Sequence, residues 1–571
     1  MKQFAFKYSN PDCFEKELCE FKKQNIPQDR MLFYIYSEIL EKEAVSVVGG
    51  VIEKVFPDSE YMGCSTSGNI VDCELSTDIS VVCVVFEKES TRFMVRLYQT
   101  TAETGDDAAM SIINDARANP WVKAVEMYFT IPEGSFTKFC SEMDKLDKSI
   151  KLFGGVSCSD DITSDDCMVF TKKDGFTIHA VLAVFYGGED FCVDDVKITG
   201  WKPLKRTFRV TSSQGSILKE LDGIPAYNVY SKYLGIENSD NFFYNTLEFP
   251  LFYEHNGTTI LRVPVSSNPD GSIVMSSDID EGSTVCLSYG DPQTVVDSIT
   301  EESRSIRDFC PEVLHIFSCA ARRAFWDRNK PTYELSPFKD ISFSAGFFSH
   351  GEFIRTNDYL NQHNVTLVIA AMREGEPREA ARKDSGATLS LSKIPLVSRL
   401  ARFIAESTRE LEEAVVTDGL TGLYNRKEIQ SRIENQLKTV DKYEFSLIML
   451  DIDNFKKVND TYGHQTGDTV IRSISGILKK DNGSGGFSGG RWGGEEFMLL
   501  LPNTNLPAAA AIAENIRRTF EEIEYPDIPH QTVSVGVTQA RSDDTIDSLC
   551  TRVDSFLYKA KQTGKNRVVK D

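Results

Sequence analysis

The residues best suited to chemistry lie toward the C-terminal end, in two short acidic runs. The apolar stretch Phe445 to Leu450 ends in Asp451-Ile452-Asp453. In an extended segment residues two apart share a face, so two carboxylates stand side by side where a buried strand stops. Burying them costs several kcal/mol unless a cation or hydrogen bonds compensate. A hard divalent ion such as Mg²⁺ answers that need, because it takes oxygen ligands from carboxylates, main-chain carbonyls and phosphates. Either acid could instead cap the helix that follows. The second run is Arg491-Trp492-Gly493-Gly494-Glu495-Glu496-Phe497, just before the apolar stretch Phe497 to Leu501. Gly-Gly suits a tight hairpin turn, and without Cβ atoms the backbone can approach a bulky polyanion closely. Alone, this run reads as an ordinary hairpin with solvated charges. Two acidic turns at neighbouring strand ends, however, can share a metal pair that activates an attacking oxygen and neutralises phosphates in an in-line displacement.

The segment around these runs must supply the strands and the helices that hold them. Residues 411–571 alternate: strand Phe445 to Leu450, helix Gly467 to Lys479, strand Phe497 to Leu501, helix Ala508 to Phe520, strand Val533 to Thr538, helix Ile546 to Gln562. That order predicts a sheet with helices against it, mixed or parallel. The glycine-rich run Gly483 to Gly490 lacks a following Gly-Lys-Ser/Thr and so makes a poor phosphate loop; it reads as a hairpin lead-in. Upstream, residues 1–375 interleave β-rich runs, such as Ile79 to Phe86 and Ile178 to Phe185, with helical periods, as in Gly105 to Ala118 and Thr294 to Phe309. This is an α/β or α+β region too long for one ordinary core, so two packed halves are expected. Glu374 to Gly386 is charged, carries Pro377, and reads as an exposed connector. From Pro395 to Val416 a helix is expected, with Val397, Ile404 and Leu411 recurring every seven residues. Such a seam suits a two-stranded coiled coil or an amphipathic helix packed on its own chain.

Composition narrows the function. The chain has 571 residues, and 63 Lys and Arg against 85 Asp and Glu give a formal charge of −22. That surface repels polyphosphate backbones, and no concentrated basic patch offsets it, so a nucleic-acid polymer is not an expected partner. No apolar stretch is long enough to insert in a membrane and no signal segment opens the chain, so a cytoplasmic location is expected. Thirteen cysteines without a C-x-x-C pair fit reduced thiols rather than disulfides or a zinc ribbon.

Asp418-Gly419-Leu420-Thr421-Gly422-Leu423-Tyr424-Asn425-Arg426, Asp451 to Asp460, Tyr462-Gly463-His464, Gly467-Asp468, Gly493 to Phe497, and Tyr558 to Lys561 with Gly564-Lys565-Asn566 resemble the ordered motifs of the GGDEF domain of diguanylate cyclases. Six motifs in sequence are far more specific than any one of them. The resemblance implies a nucleotidyl-cyclase-like α/β sandwich that joins two GTP into cyclic di-GMP with release of pyrophosphate. It implies two Mg²⁺ per active site, with Mn²⁺ as a substitute, held by Asp451, Glu495 and the carbonyl of Ile452 with support from Glu496. Glu495 also matches the acceptor of the ribose 3′-hydroxyl proton, and Lys456 the lysine that stabilises charge on the transferring phosphate. Asn459 and Asp468 match the guanine readers; His464, Phe455, Gly493 and Gly494 fall among the substrate contacts; Lys561 and Lys565 match cations facing the triphosphate. Lys565 stands where many members have Arg, so charge is kept but the bidentate fork is lost. The signature reads Gly-Gly-Glu-Glu-Phe, a variant that keeps the carboxylate. The R-x-x-D product-inhibition motif is replaced by Ser484-Gly485-Gly486-Phe487, so no feedback through that site is expected. In this family two domains face each other, which implies a homodimer.

Near the front, Phe56 to Asn69 reads as a strand and a small, polar, glycine-containing turn, able to offer N–H groups and hydroxyls to a small anion or to form a closed structural loop. With Gly154-Gly155-Val156-Ser157, Leu221 to Ala226, Ser318 to Arg322, Gly346 to Glu352 and His363 to Leu367, it resembles the FIST sensory domain. That resemblance implies a sensor of small ligands such as amino acids, with Cys64, Cys319, Arg322 and Glu352 in the matched motifs. The chain is thus expected to hold a FIST N-terminal half (1–200), a FIST C-terminal half (201–380), a helical linker (390–416) and a GGDEF domain (411–571). The rival readings are a non-catalytic receptor for GTP or cyclic di-GMP, and a purine cyclase making a monomeric cyclic nucleotide.

Overall fold

The computed structural model describes residues 1–38, 42–100, 105–130, 136–158, 167–239, 241–326, 332–378, 400, 404, 415–482, 487–526 and 528–571, with the side chains of 480–482 left aside. Most of the linker helix expected over 390–416, and Ser484 to Gly486, lie outside them. The chain divides into two compact units, Met1–Ser398 and Arg399–Asp571. Among the described residues no helix is long and apolar enough to cross a membrane. Among the described residues no two cysteines form a disulfide.

The first unit is built on an internal repeat. Three times the chain lays down an edge strand (Lys2–Lys7, Arg92–Gln99, Phe191–Ile198), a helix (Pro11–Lys22, Asp106–Ala118, Pro292–Phe309) and a central strand (Met31–Ser37, Val122–Phe129, Val313–Cys319). After a further helical segment comes a second strand parallel to the central one (Glu60–Ser65, Lys151–Val156, Phe343–Ser349). A small hairpin and an antiparallel return strand (Ser80–Val85, Ala180–Gly187, Leu367–Glu374) complete each copy. The hairpins do not stay at home. Asn69–Ser76 joins the third sheet, Glu352–His363 the second, and Val169–Thr177 the first, so the exchange closes a ring. Each parallel pair is drawn together at a glycine: a Cβ on Gly63, Gly154 or Gly346 would overlap the carbonyl of Ile35, Met127 or Ile316. One residue before those carbonyls stand Tyr34, Glu126 and His315, all fully buried. There His315 Nδ1 lies 3.0 Å from Glu126 Oε1, Tyr128 donates to the same oxygen at 2.7 Å, and Tyr186 joins Tyr34 to Oε2. The third copy also carries an insertion, a fourth sheet that includes Trp201–Gln214, Leu251–His255, Thr258–Arg262 and Thr284–Gly290. The boundary expected at residue 200 falls just after the edge strand of that copy.

In the second unit we number the elements α1 (Arg426–Leu437), β1 (Phe445–Ile452), α2 (Phe455–Tyr462), α3 (His464–Asn482), β2 (Ser488–Gly493), β3 (Glu496–Pro502), α4 (Leu506–Glu521), β4 (Val533–Gln539), α5 (Ile546–Gln562) and β5 (Val568–Lys570). The sheet runs β2-β3-β1-β4-β5 and is mixed, antiparallel except for β4–β5. Alternation along β1 serves two cores: Ile448, Leu450 and Ile452 pack with α2, α3 and α4, while Phe445, Leu447 and Met449 pack with α1 and α5. A strand buried on both faces reads as a continuous apolar run, which is why β1 is visible in the sequence.

Candidate active site

By the same alternation Asp451 follows Met449 onto the face covered by α5, and it sits directly opposite Glu496 on β3. Like charges facing each other across a strand pair are unfavourable. Lys561 on α5 meets the carboxylate, Nζ to Oδ2 at 2.7 Å. Burial nonetheless pushes Asp451 up to about 6; Lys561 opposes the shift, and Glu495 and Glu496 add to it. Glu495 sits in the turn just before β3, and its carbonyl accepts from Ile452 N at 3.4 Å. Acids from two neighbouring strand ends therefore converge with one ammonium among them. Among the described residues no three His, Cys, Asp or Glu side chains are gathered closely enough to chelate an ion by themselves. The excess of buried carboxylate that Asp451 records is the feature a cation would relieve, so the residues fit a hard divalent ion completed by ligand oxygens.

Asp453 does not belong to this cluster. Thr532 Oγ1 and Ser534 Oγ donate to its two oxygens at 2.7 Å, and Asn566 N donates to Oδ2 at 3.0 Å. Its carboxylate is spent on holding β4 and the segment after α5 to the end of β1. The equal pairing of Asp451 and Asp453 that the sequence suggests is corrected accordingly: the protein's own hydroxyls and amide neutralise one acid and leave the other. Neither acid caps α2, whose N-cap is Asn454 in the left-handed region at φ 58°. Lys565 Nζ donates to Asn454 Oδ1 at 2.5 Å, which ties that lysine to the same corner.

Helices α2 and α3 meet at Gly463, φ 85°, and cross closely at Gly467. A Cβ on Gly467 would run into Asn459 Oδ1, so the missing side chain is what lets the Asn459 amide lie beside the residue preceding Asp468. The two expected guanine readers are thus brought together. His464 opens α3 and is exposed, as is Lys456 on the first turn of α2. Phe455 is 6% exposed and packs in the core beside Gly467; it supports α2 rather than lining an open surface.

Gly493 ends β2 and Gly494, φ 26°, makes the turn, where a side chain would meet nothing. Arg491 holds this turn. Its Nε and Nη2 donate to Gly494 O at 2.9 and 2.7 Å, and its Nη1 reaches both Asp418 oxygens at 3.2 Å. Asp418 also accepts from Thr421 N and Oγ1. Partial burial would raise Asp418, but the Thr421 hydrogen bonds and Arg491 hold it below the usual carboxylate range. Sequence reading gave Arg491 no role; its place in front of the Gly-Gly pair was the only signal. Phe487, in the replaced inhibition motif, is buried in the core.

Residues 415–567 match the family model described as "Diguanylate cyclase, GGDEF domain". The second unit is a GGDEF domain. Over this GGDEF region the chain is 40% identical across 162 residues to diguanylate cyclase DgcM of Escherichia coli, a match spanning 28% of the chain and 39% of that relative. Diguanylate cyclase VdcA of Vibrio cholerae is 37% identical across 175 residues, 29% of the chain and 50% of the relative. Among solved structures, the active GGEEF domain of a diguanylate cyclase from Vibrio cholerae is 33% identical, with a TM-score of 0.25, over 26% of this chain and 96% of that one. The GGDEF domain of DgcB from Caulobacter crescentus in complex with c-di-GMP is 32% identical, with a TM-score of 0.26, over 27% and 93%. Ahead of the GGDEF domain, residues 32–224 match the FIST N domain and 226–355 the FIST C domain.

The motif residues of the FIST region are structural. Cys64 and Cys319 are buried, and burial pushes both thiols up, away from reactive thiolate. Arg322 is fully buried and paired with Glu334, Nε to Oε1 at 2.9 Å, with Nη1 on the carbonyls of Thr199 and Val365. Glu352 accepts from Ser349 and Thr366. The polar turn is closed off by neighbouring strands: Thr66 N donates to Ser37 O and Ser67 N to Phe348 O. Those N–H groups are not offered to an anion.

Proposed function

We propose that the GGDEF domain condenses two GTP into cyclic di-GMP with release of pyrophosphate, and that the FIST region senses a small ligand that sets its rate. The observation that carries the reading is the meeting of Asp451 with Glu496 and Glu495 at one corner of the sheet, with more buried negative charge than Lys561 neutralises. The names of the relatives, diguanylate cyclases at 37–40% identity over this segment, point the same way. Asp451, Glu495 and the carbonyl of Ile452 would hold Mg²⁺, with Glu496 behind them. When bound, the ion neutralises phosphate charge and favours the ionised attacking oxygen. Glu495 accepts the proton of the ribose 3′-hydroxyl, and Lys456 stabilises charge on the transferring phosphate as a point charge. Asn459 and Asp468 answer the donor and acceptor edge of guanine, with His464 beside them at the start of α3. Lys561, relieved of Asp451, pairs with the triphosphate, as does Lys565. The bare backbone at Gly493 and Gly494 leaves room for the nucleotide. Since each domain holds one GTP, turnover needs two chains face to face, in the cytoplasm where GTP is available.

The test is incubation of the purified chain with GTP and Mg²⁺, followed by chromatography and mass analysis of the product. Cyclic di-GMP is expected, and Glu495→Gln should lower the rate at least about 100-fold without lowering the melting temperature, since an amide cannot serve as the base. GTP bound but never converted would favour the receptor reading; a monomeric cyclic nucleotide would favour the purine cyclase.

A further inference from the structure

Three lysines stand around the acidic corner of the GGDEF domain, and the structure holds them differently. Lys456 is exposed on the first turn of α2. Lys565 Nζ donates to the neutral amide oxygen of Asn454. Among the described residues Lys561 alone of the three rests on an acid, with Nζ 2.7 Å from Asp451 Oδ2. That acid is the expected metal ligand, so an ammonium stands where a divalent ion would bind.

Charge explains why the ammonium is there. The Asp451 side chain is 7% exposed and sits directly opposite Glu496 across the strand pair, so its ionised form needs a counter-charge. Lys561 supplies it. The contact can nonetheless be undone without disturbing the fold. Asp453 Oδ2 accepts from Asn566 N at 3.0 Å, and Lys565 N closes the end of α5 on Ala560 O at 3.0 Å, which pins the end of that helix to the end of β1. The Lys561 side chain takes no part in those bonds. It is 35% exposed and carries its ammonium on a flexible aliphatic stem, so the charge can swing toward solvent while α5 stays in place.

A divalent ion and an ammonium compete for one carboxylate. They repel each other at a few ångströms, and each takes up part of the negative charge that attracts the other. A metal arriving by itself must therefore evict Lys561 into water. A triphosphate arriving by itself must draw Lys561 off an acid that is then left bare. When the two arrive together the triphosphate takes the ammonium, the metal takes the acid, and no buried charge is left unpaired.

We propose that Lys561 is an exchangeable counter-ion: it weakens metal binding at Asp451 until a triphosphate draws it away, which couples the two ligands to each other. The proposal rests on the reading of the domain as a GTP-condensing site and adds to it how that site's ligands depend on one another. A lysine that served the triphosphate alone would leave metal affinity untouched when removed.

The experiment uses the full chain, with Mn²⁺ as the probe ion, its free form followed by electron paramagnetic resonance. The nucleotide probe is a GTP analogue bearing a methylene between the α and β phosphorus atoms, which cannot lose pyrophosphate. Without the analogue, Lys561→Gln should bind Mn²⁺ about tenfold more tightly than the unaltered chain. Lys561→Met, which keeps the stem and drops the charge, should do the same. Lys561→Arg keeps a cation on Asp451 and should bring no gain, and neither should Lys565→Gln, since Lys565 sits on an amide. With the analogue bound, the advantage of Lys561→Gln should vanish, because the triphosphate has already drawn Lys561 away in the unaltered chain. Unchanged or weaker Mn²⁺ binding in both neutral variants, an equal gain in Lys565→Gln, or an advantage that persists undiminished with the analogue would overturn the counter-ion. Failure of the unaltered chain to bind the Mn²⁺–analogue complex would sink the GTP reading as well, whereas binding of that complex together with any of the preceding outcomes would sink the counter-ion alone.

Discussion

At the scale of single residues, buried acids in this chain divide by what neutralises them. Asp453 is satisfied by hydroxyl and amide donors, Asp451 meets Lys561 but stands beside two further acids, and burial raises the carboxyl of Glu352. Asp453→Ala should therefore act on the fold: removing the acceptor strands Thr532, Ser534 and the Asn566 amide, at a cost of about 3 kcal/mol. Asp451→Asn should instead abolish GTP conversion and leave the melting temperature of the GGDEF domain within a degree or two. Urea melts of the two variants would reveal an error if the losses came out reversed. Glu352 makes a pH prediction. Burial pushes it from 4.5 up to about 8, against the hydrogen bonds from Ser349 and Thr366 and the pull of Arg322. Between those values the unfolded chain is ionised while the native carboxyl keeps its proton, so unfolding releases a proton. Stability of the FIST region should therefore fall as pH rises through this window and level off above about 8. Glu352→Gln should flatten that slope; calorimetry at pH 5 and pH 8 that shows the same slope in both proteins would refute the assignment.

At the scale of elements, the crossing of α2 and α3 sets where the Asn459 amide lies through a side chain that is absent. Gly467→Ala would displace the Asn459 amide, whereas Gly476, in the same helix, has nothing within 4 Å of a Cβ. The first change should raise KM for GTP about tenfold with little effect on folding, since the clash falls on the end of a flexible side chain. The second should be neutral or stabilise α3 by roughly 0.5–1 kcal/mol, as alanine is the better helix former. Equal KM values for the two variants would mean that Asn459 does not read the base. How much of this was legible is uneven. Helix α5 was readable to its ends from its period, and β1 from its apolar run. Helices α1 and α2, and strand β2, escaped notice, because α1 shows little apolar periodicity, α2 is only two turns long, and β2 is half glycine.

At the scale of the molecule, the exchanged hairpins make the three copies of the FIST region one cooperative body. A fragment cut near residue 190 would lose the hairpin Glu352–His363 that completes its second sheet, and would leave Asn69–Ser76 without a sheet to join. Such a fragment should be poorly structured by circular dichroism and proteolysis. Residues 1–398 and 415–571 each carry their own cores and should melt as separate transitions. A stable, well-packed 1–190 fragment would contradict the ring of exchanges.

The sequence by itself determined the family of the C-terminal unit, because its motifs are particular residue types at short spacings, and spacing is written in the chain. It also determined the alternating strands and helices, since burial follows period. Only the tertiary structure decided that Asp453 is spent on hydrogen bonds, that Lys561 sits on Asp451, that Arg322 is buried against Glu334, and that the front of the chain is threefold. Those outcomes depend on which distant side chains and backbone groups arrive at one place, and long-range contacts of that kind leave no local pattern to read.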